Sequence, residues 1–218
     1  MKSINEVNAV GRIIETGMDQ YGHAAITVAI RGKRLAFLNF AIKDGLDPDL
    51  GVGDSVRIKG HCKAYRGYSQ TRQGMANIQY FVADEIEREV SEMEKRFGIA
   101  GRFPEPSHCR AYFAGEVMSS FVTRDPQWGK ITVKVDGQGD DPNPSFIQLS
   151  YRNSWNFPPF DYERGDKVCI VASISTPQKE LNGVQVKFEN FVIEDIVRVE
   201  EGQEIHGEQE PGSEQVVA

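Results

Sequence analysis

Short stretches in which apolar and polar residues alternate, separated by glycine-containing turns, fill about the first ninety residues. Side chains along a strand point to opposite faces with a period of two, so the alternation predicts strands with one buried face. The predicted strands are 10–16, 24–30, 35–42, 56–65 and 78–86, and the polar stretch 67–77 is predicted to be a loop. Five strands at this spacing predict a small closed or nearly closed barrel.

The fourth predicted strand has a basic, partly aromatic face. Val56 and Ile58 alternate with polar residues, and no acidic residue occurs between Asp54 and Asp84. The residues on the polar face are Arg57, Lys59, His61, Lys63 and Tyr65. Because the whole chain has a net charge of −7, a local basic face favours a polyanionic ligand. The alternative is a solvated face whose lysines discourage pairing with another strand edge.

The period changes after the fifth predicted strand. Ile86, Val90, Met93 and Phe97 follow one another at steps of three or four residues, which predicts an amphipathic helix over 85–97. Glycines and prolines over 98–108 predict a linker. The helix either joins two domains or pairs two subunits, so the oligomeric state stays open, with a homo-oligomer among the options.

The second half of the chain repeats the first. Gly115 in YFAGEVM follows Gly11 in NAVGRII by 104 residues, and three further matched stretches follow their counterparts by 105, 112 and 110 residues. The same order with different loop lengths indicates an internal duplication. The predicted fold class is therefore mainly all-β, with two tandem five-stranded barrels joined by a short helix and a linker. The predicted domains are 1–97 (first barrel with the trailing helix), 98–108 (linker), 109–199 (second barrel) and 200–218 (acidic, disordered tail).

The negative charge is concentrated in the C-terminal tail. No lysine or arginine follows Arg198, and removing the six glutamates of the tail leaves 26 acidic against 25 basic residues. A polar, glutamate-rich segment of this kind is predicted to be disordered. It either keeps the protein soluble, or competes with nucleic acid and recruits partners such as replication or recombination proteins.

The sequence argues against a membrane protein, a secreted disulfide scaffold and an enzyme. It has no run of about 18 apolar residues, its N-terminal stretch lacks the apolar core of a signal peptide, and its three cysteines are widely spaced. We therefore expect a cytoplasmic protein that is associated with the nucleoid or acts in an infected host cell. No nucleotide-binding, hydrolase or metalloprotease motif occurs, and the acidic stretch 136–144 lacks the spacing of an EF-hand, so we expect no catalytic residue, metal or cofactor.

The first half resembles single-stranded DNA-binding proteins of the bacterial and phage type. The matching stretches are 8–13 (NAVGRI), 50–60 (LGVGDSVRIKG) and 81–83 (FVA). Over residues 5–88 the resemblance implies an OB-fold, a five-stranded Greek-key barrel that binds single strands across its face. The sequence departs from the family in its two barrels, in the lack of tryptophan in its first half and in a tail that ends without phenylalanine. The family's docking of replication partners to the tail is therefore not carried over.

Single-strand binding needs cations that follow the phosphates and flat rings that stack on bases. The candidates in the first half are Arg31, Lys33, Arg34, Phe37, Arg57, Lys59, His61, Lys63, Tyr65, Arg66, Tyr68 and Arg72. The candidates in the second half are Trp128, Lys130, Arg152 and Trp155. The aromatic segment around Trp155 alternatively caps one end of a barrel. Because the second half lacks the basic strand, we expect the first barrel to bind strongly and the second to extend the path weakly or to mediate assembly.

The predicted function is sequence-tolerant binding and protection of single-stranded DNA in replication, recombination or repair. A phage or mobile-element origin would suit the divergent two-barrel form. One alternative is single-stranded RNA binding, which the sequence does not separate from DNA binding. The other is a protein-interaction scaffold, because OB barrels host many functions.

Overall fold

The computed structural model describes residues 2–18, 23–31, 35–43, 47, 49–69, 74–89, 107–137, 142–152, 161–181, 184–187 and 189–199. All regular secondary structure in these ranges is β-strand, which confirms the predicted all-β class. The predicted linker up to residue 106 and the acidic tail from residue 200 lie outside the described residues.

The first five strands form a closed barrel. They are β1 (Ile4–Met18), β2 (Ala24–Arg31), β3 (Leu35–Ile42), β4 (Ser55–Ser69) and β5 (Gly74–Arg88). The hydrogen-bonded order is β2-β3-β5-β4-β1, and β1 also pairs with β2, which closes the circuit. All pairings are antiparallel except the short parallel contact of β3 with β5. This arrangement is consistent with the predicted OB-fold.

The strands of the second half form a second circuit with the same order. They are β6 (His108–Val122), β7 (Trp128–Val135), β8 (Ser145–Arg152), β9 (Lys167–Ser175), β10 (Gln178–Leu181), β11 (Val184–Lys187) and β12 (Asn190–Arg198). The order is β6-β7-β8-β12-β9, closed by the pairing of β9 with β6. Strands β10 and β11 form a separate hairpin at the place that the far end of the β4–β5 hairpin takes in the first circuit.

The two circuits are joined side by side through β1 and β6. These strands pair antiparallel, with Val7 opposite Ala111, which is its counterpart 104 residues later. A pairing centred on equivalent residues relates the circuits by an approximate two-fold axis. Two equivalent serines, one in each half of the chain, follow the same two-fold relation. Ser107 Oγ accepts the Arg31 N–H at 2.9 Å, and Ser3 Oγ accepts the Asp136 N–H at 3.3 Å.

Four phenylalanines connect the two cores. Each is fully buried, because it lies on the inward face of its strand. The ring centroids of Phe40 and Phe81 are 5.4 Å apart, those of Phe81 and Phe191 are 5.7 Å apart, and those of Phe191 and Phe113 are 5.0 Å apart. The contact between Phe81 and Phe191 crosses from one circuit to the other, so the two barrels share one continuous hydrophobic core.

The buried amide of Asn5 bridges β1 and β4 where their ladder ends. Its Nδ2 donates to the Cys62 carbonyl at 2.7 Å, and its Oδ1 accepts the Cys62 N–H at 3.0 Å. The last paired residues of the ladder are Val7 and Gly60, so these two bonds replace the next rung. Both groups of a fully buried backbone unit are thereby satisfied, as buried polar groups require.

The structure differs from two predictions about the region after β4. The predicted helix 85–97 does not begin at residue 85, because residues 85–88 continue β5, and 90–97 lie outside the described residues. Ile86 lies opposite Ile58 and packs on the core, so strand pairing overrides the helical spacing of the apolar residues. The predicted loop 67–77 is instead the far end of a long β4–β5 hairpin, of which only 70–73 are not described. Polar residues form strands here because the hairpin extends beyond the barrel and has little to bury.

Candidate nucleic-acid interface

The basic face of β4 has the orientation that the alternation predicts, but carboxylates neutralise its first half. Arg57 Nε lies 3.0 Å from Glu89 Oε2, Lys59 Nζ lies 3.7 Å from Glu85 Oε2, and His61 Nδ1 lies 2.8 Å from Asp84 Oδ2. The three carboxylates come from the end of β5 and the residue that follows it. The lack of acidic residues along the sequence of β4 therefore does not make this part of its face strongly positive.

A bulge brings these carboxylates to the basic row. Lys59 lies opposite Glu85 and Gly60 opposite Ala83, so Asp84 is an extra residue on β5 and turns toward His61. The two backbones approach closely at this point. A Cβ atom at position 60 would lie 2.1 Å from the Val82 carbonyl oxygen, which only glycine avoids.

Beyond Gly60 the hairpin is basic and aromatic without carboxylates, since no acidic residue occurs between 62 and 83. Lys63 lies opposite Tyr80, and the rings of Tyr80 and Tyr65 make an edge contact with centroids 6.2 Å apart. Tyr65 is exposed, so its ring offers a base-stacking surface on this face.

The opposite face of the hairpin lies against the second barrel. Three hydrogen bonds hold it there: Ala64 N–H to Ser145 Oγ at 3.4 Å, Asn77 Nδ2 to the Phe146 carbonyl at 3.0 Å, and Gln148 N–H to Gln79 Oε1 at 2.6 Å. Farther out on the same face, Arg66 lies opposite Asn77, and Tyr68, 64% exposed, lies opposite the exposed Met75. The hairpin of the first barrel thus extends the outer face of β8.

The outer face of β7 and β8 is also cationic and aromatic. On β7 it carries Trp128, Lys130, Thr132 and Lys134, and on β8 Phe146, Gln148 and Arg152. Lys130 Nζ donates to Gln148 Oε1 at 3.0 Å, and Lys134 Nζ is 4.0 Å from Asp136 at the edge of the face. Neither strand contains an acidic residue. Phe121 of β6, which lies opposite Lys130, adds a ring that is 49% exposed.

We call this combined area the cross-barrel surface. It consists of Phe121, the outward residues of β7 and β8 named above, and Arg66, Tyr68, Met75, Asn77 and Gln79 of the hairpin. It includes five predicted site residues that the sequence separates by up to 86 positions: Arg66, Tyr68, Trp128, Lys130 and Arg152. Arg66 lies toward the Phe146 end of β8, since its partner Asn77 bonds the Phe146 carbonyl, whereas Trp128 lies opposite Arg152 at the other end.

Other predicted site residues lie elsewhere or outside the described part of the chain. Arg31 and Phe37 belong to the outer face of β2 and β3 on the first barrel, where Phe37 is partly buried and its N–H donates to Thr176 Oγ1 at 3.1 Å. Lys33, Arg34, Arg72 and Trp155 are outside the described residues.

Sequence reasoning missed Phe121, Lys134 and Phe146. Phe146 is 38% exposed and occupies the place on β8 that Phe37 occupies on β3, since Phe40 and Leu149 pair with the equivalent residues Phe81 and Phe191. The alternation that identifies Phe37 as an outward residue of β3 would have identified Phe146 if it had been applied to the equivalent strand β8.

The titratable groups with shifted pKa values are the three thiols, Glu189 and Tyr162, and burial is the main cause for each. Burial raises the pKa of the Cys62 thiol far above its ordinary value, and burial likewise raises the pKa of Cys109 and of Cys169. Burial also raises the pKa of the Glu189 carboxyl, partly opposed by a hydrogen bond from its own backbone. Within the described ranges no group of three or more His, Cys, Asp and Glu side chains could hold a metal ion, and no helix is long and apolar enough to cross a membrane. None of these thiols has the low pKa of a nucleophile.

Comparison with solved structures finds the single-stranded DNA binding protein from Thermus aquaticus in two forms. The wild-type structure has a TM-score of 0.61 at 10% identity and covers 95% of this chain and 98% of its own. A deletion mutant with one further substitution has a TM-score of 0.60 at 10% identity and covers 95% of this chain and 99% of its own. This chain shares the fold of the Thermus aquaticus protein.

The likeness to the Thermus aquaticus protein extends over both strand circuits, because a match to 95% of the chain includes both. At 10% identity it shows the fold alone. No protein-family model matches the sequence, and no curated protein does.

Proposed function

We propose that this protein binds single-stranded DNA without catalysis and with little sequence preference, through two OB-folds arranged in tandem. The observation that carries the proposal is the cross-barrel surface, where the cations and rings of β7 and β8, two strands without a carboxylate, lie beside the end of the β4–β5 hairpin that has no acidic residue. The second and third strands of an OB barrel and the loop between its fourth and fifth strands are the general sites of oligonucleotide binding. Here β7 and β8 supply the strands, and the β4–β5 hairpin of the other barrel supplies the loop.

The chemistry of the surface fits a single strand. Lys130 and Arg152 offer charge to phosphates, while Phe121, Phe146 and Tyr68 offer faces to bases. Each stacked base contributes about 1–3 kcal/mol and any base can stack, so the binding tolerates different sequences. The side-chain oxygens of Gln79 and Gln148 are engaged with a backbone N–H and with Lys130, and the Asn77 amide donates to the Phe146 carbonyl.

Protection of single strands during replication, recombination or repair is the role we propose for this binding. It is supported by the likeness to a protein described as a single-stranded DNA binding protein. We also propose that the first domain ends near residue 97 and the second begins near residue 109. The acidic tail is proposed to bind partner proteins.

A fluorescence-anisotropy titration tests the function. The full chain is titrated against labelled oligo-dT, oligo-rU and a duplex of equal length at two salt concentrations. We expect tight binding to oligo-dT that weakens as salt rises, with the duplex much weaker. Tighter binding to oligo-rU than to oligo-dT would indicate that the ligand is single-stranded RNA instead. No binding to any of the three at low salt would overturn it and favour a protein-interaction scaffold.

A further inference from the structure

We propose that the chain has one principal single-strand site, on the second barrel and the first-barrel hairpin, and that the equivalent face of the first barrel is not a second site. This inference rests on the proposed function and specifies where on the protein the single strand binds. It is the opposite of the expectation from the sequence, in which the first barrel binds the strand more strongly than the second.

The two faces can be compared position by position because both barrels keep the same register. Each has a bulge at the equivalent place, between Ile13 and Glu15 in β1 and between Val117 and Ser119 in β6. Immediately after the bulge, Glu15 lies opposite Thr27 and Ser119 lies opposite Thr132. The threonines are therefore equivalent, and so are their neighbours along β2 and β7.

Strand β2 lacks the two cations of β7. Where β7 has Lys130 and Lys134, β2 has Ala25 and Ala29. At the second of these positions the neighbouring strand reverses the difference, because Arg12 lies opposite Ala29 whereas the exposed Glu116 lies opposite Lys134. The phosphates of a strand laid across β2 would therefore miss a positive charge at Ala25, where β7 has Lys130.

Strand β1 also differs from β6 by an added carboxylate and a missing ring. Glu15 stands where the second barrel has Ser119, and Gly17 stands where it has Phe121. Thr27 Oγ1 lies 3.4 Å from Glu15 Oε2, so the exposed carboxylate lies beside the middle of the face. A carboxylate there repels the phosphate backbone that Lys130 would attract.

Two further described cations belong to the first-barrel face besides Arg12. Arg31 ends β2, and Lys43 follows β3 at the place that Arg152 takes at the end of β8. The two faces therefore differ most around Lys130, Trp128 and Phe121, where the first barrel has Ala25, His23 and Gly17. A strand lysine lies beside these two rings on one side of the approximate two-fold axis and not at the equivalent positions on the other.

Two matched double variants test the inference by anisotropy with oligo-dT. Lys130→Ala/Arg152→Ala and Arg31→Ala/Lys43→Ala each remove two positive charges from exposed or partly exposed positions, one pair from each face. Removing a cation that binds a phosphate should lower the salt slope of a single-strand complex by about 0.7, so the first variant should bind roughly 25-fold more weakly at about 0.1 M salt. The second variant should bind within about twofold of the unchanged chain, because its cations contact no phosphate.

A gain-of-function variant gives an independent readout. Glu15→Ser/Ala25→Lys installs the second-barrel residues on the first-barrel face, and calorimetric titration with a short oligo-dT then counts sites per chain. We expect one oligonucleotide per unchanged chain and additional or tighter binding to the variant. Equal losses in the two double-alanine variants, or two equivalent sites on the unchanged chain, would overturn the inference while leaving single-strand binding intact. Failure of the unchanged chain to bind oligo-dT would overturn the function itself and this inference with it.

Discussion

Arg57 and Arg66 lie on the same strand, nine residues apart, and differ in whether a carboxylate neutralises them. Arg57 is held by Glu89 at 3.0 Å, whereas Arg66 is exposed and makes no ion pair with any carboxylate in the described ranges. From the sequence, both are equal candidates to contact phosphate. From the structure, we expect Arg66→Ala to weaken single-strand binding much more than Arg57→Ala.

The expected size of the effect follows from counterion release. A phosphate contact on a single strand contributes about 0.7 to the slope of log K against log salt, which is a factor of about five between roughly 1 M and 0.1 M salt. Arg66→Ala should therefore lose about fivefold in affinity at the lower salt concentration. Arg57 is engaged by Glu89 rather than by a phosphate, so Arg57→Ala removes no phosphate contact and should change the slope by less than about half as much.

The assay is an anisotropy titration of each variant with oligo-dT over a series of salt concentrations. Thermal melts provide the control for folding, and both variants should lose no more than about 1 kcal/mol, since an exposed ion pair contributes about 0–1 kcal/mol. If Arg57→Ala lowers the slope as much as Arg66→Ala, the ion pairs on β4 do not neutralise its basic face, and the reasoning from the structure is refuted.

Three further predictions concern stacking, a buried amide and the thiols. Tyr68→Ala should cost about 1–3 kcal/mol of single-strand binding while Tyr68→Phe keeps most of it, measured by anisotropy at high salt; equal losses in both would exclude stacking by this ring. Asn5→Ala should lower the free energy of unfolding by roughly 2–5 kcal/mol in urea melts, because it leaves two buried backbone groups of Cys62 without partners. The half-buried Asn8→Ala is the control and should cost far less. Burial raises the pKa of the Cys62 and Cys109 thiols, so the folded chain retains protons that the unfolded chain loses, and stability should fall above about pH 8.5 by up to about 1.4 kcal/mol per pH unit for each thiol. A Cys62→Ala variant with the same pH dependence as the unchanged chain would contradict this.

The sequence by itself determined which side chains of a strand are buried, because the alternation of residues along each strand is a local property. Along β4, Val56 and Ile58 are buried while Arg57 and Lys59 are exposed, as their parity predicts. The same rule places Phe40 in the core. The same anchors recur at similar intervals along the sequence, and the two strand circuits have the same order. These inferences hold because burial of one strand face is decided by side chains two residues apart.

What surrounds each exposed side chain depends on strand register and on the packing of the two barrels, and only the tertiary structure decided it. The carboxylates that neutralise β4 come from residues 23 to 32 positions later, brought there by the β4–β5 register and its bulge. The cross-barrel surface depends on the pairing of β1 with β6 and on bonds such as Gln148 N–H to Gln79, which join residues 69 positions apart. The first half of β4 is therefore largely neutralised, and Lys130 and Arg152 share one proposed surface with Arg66 of the hairpin, because electrostatic interactions act through space and the sequence specifies only order along the chain.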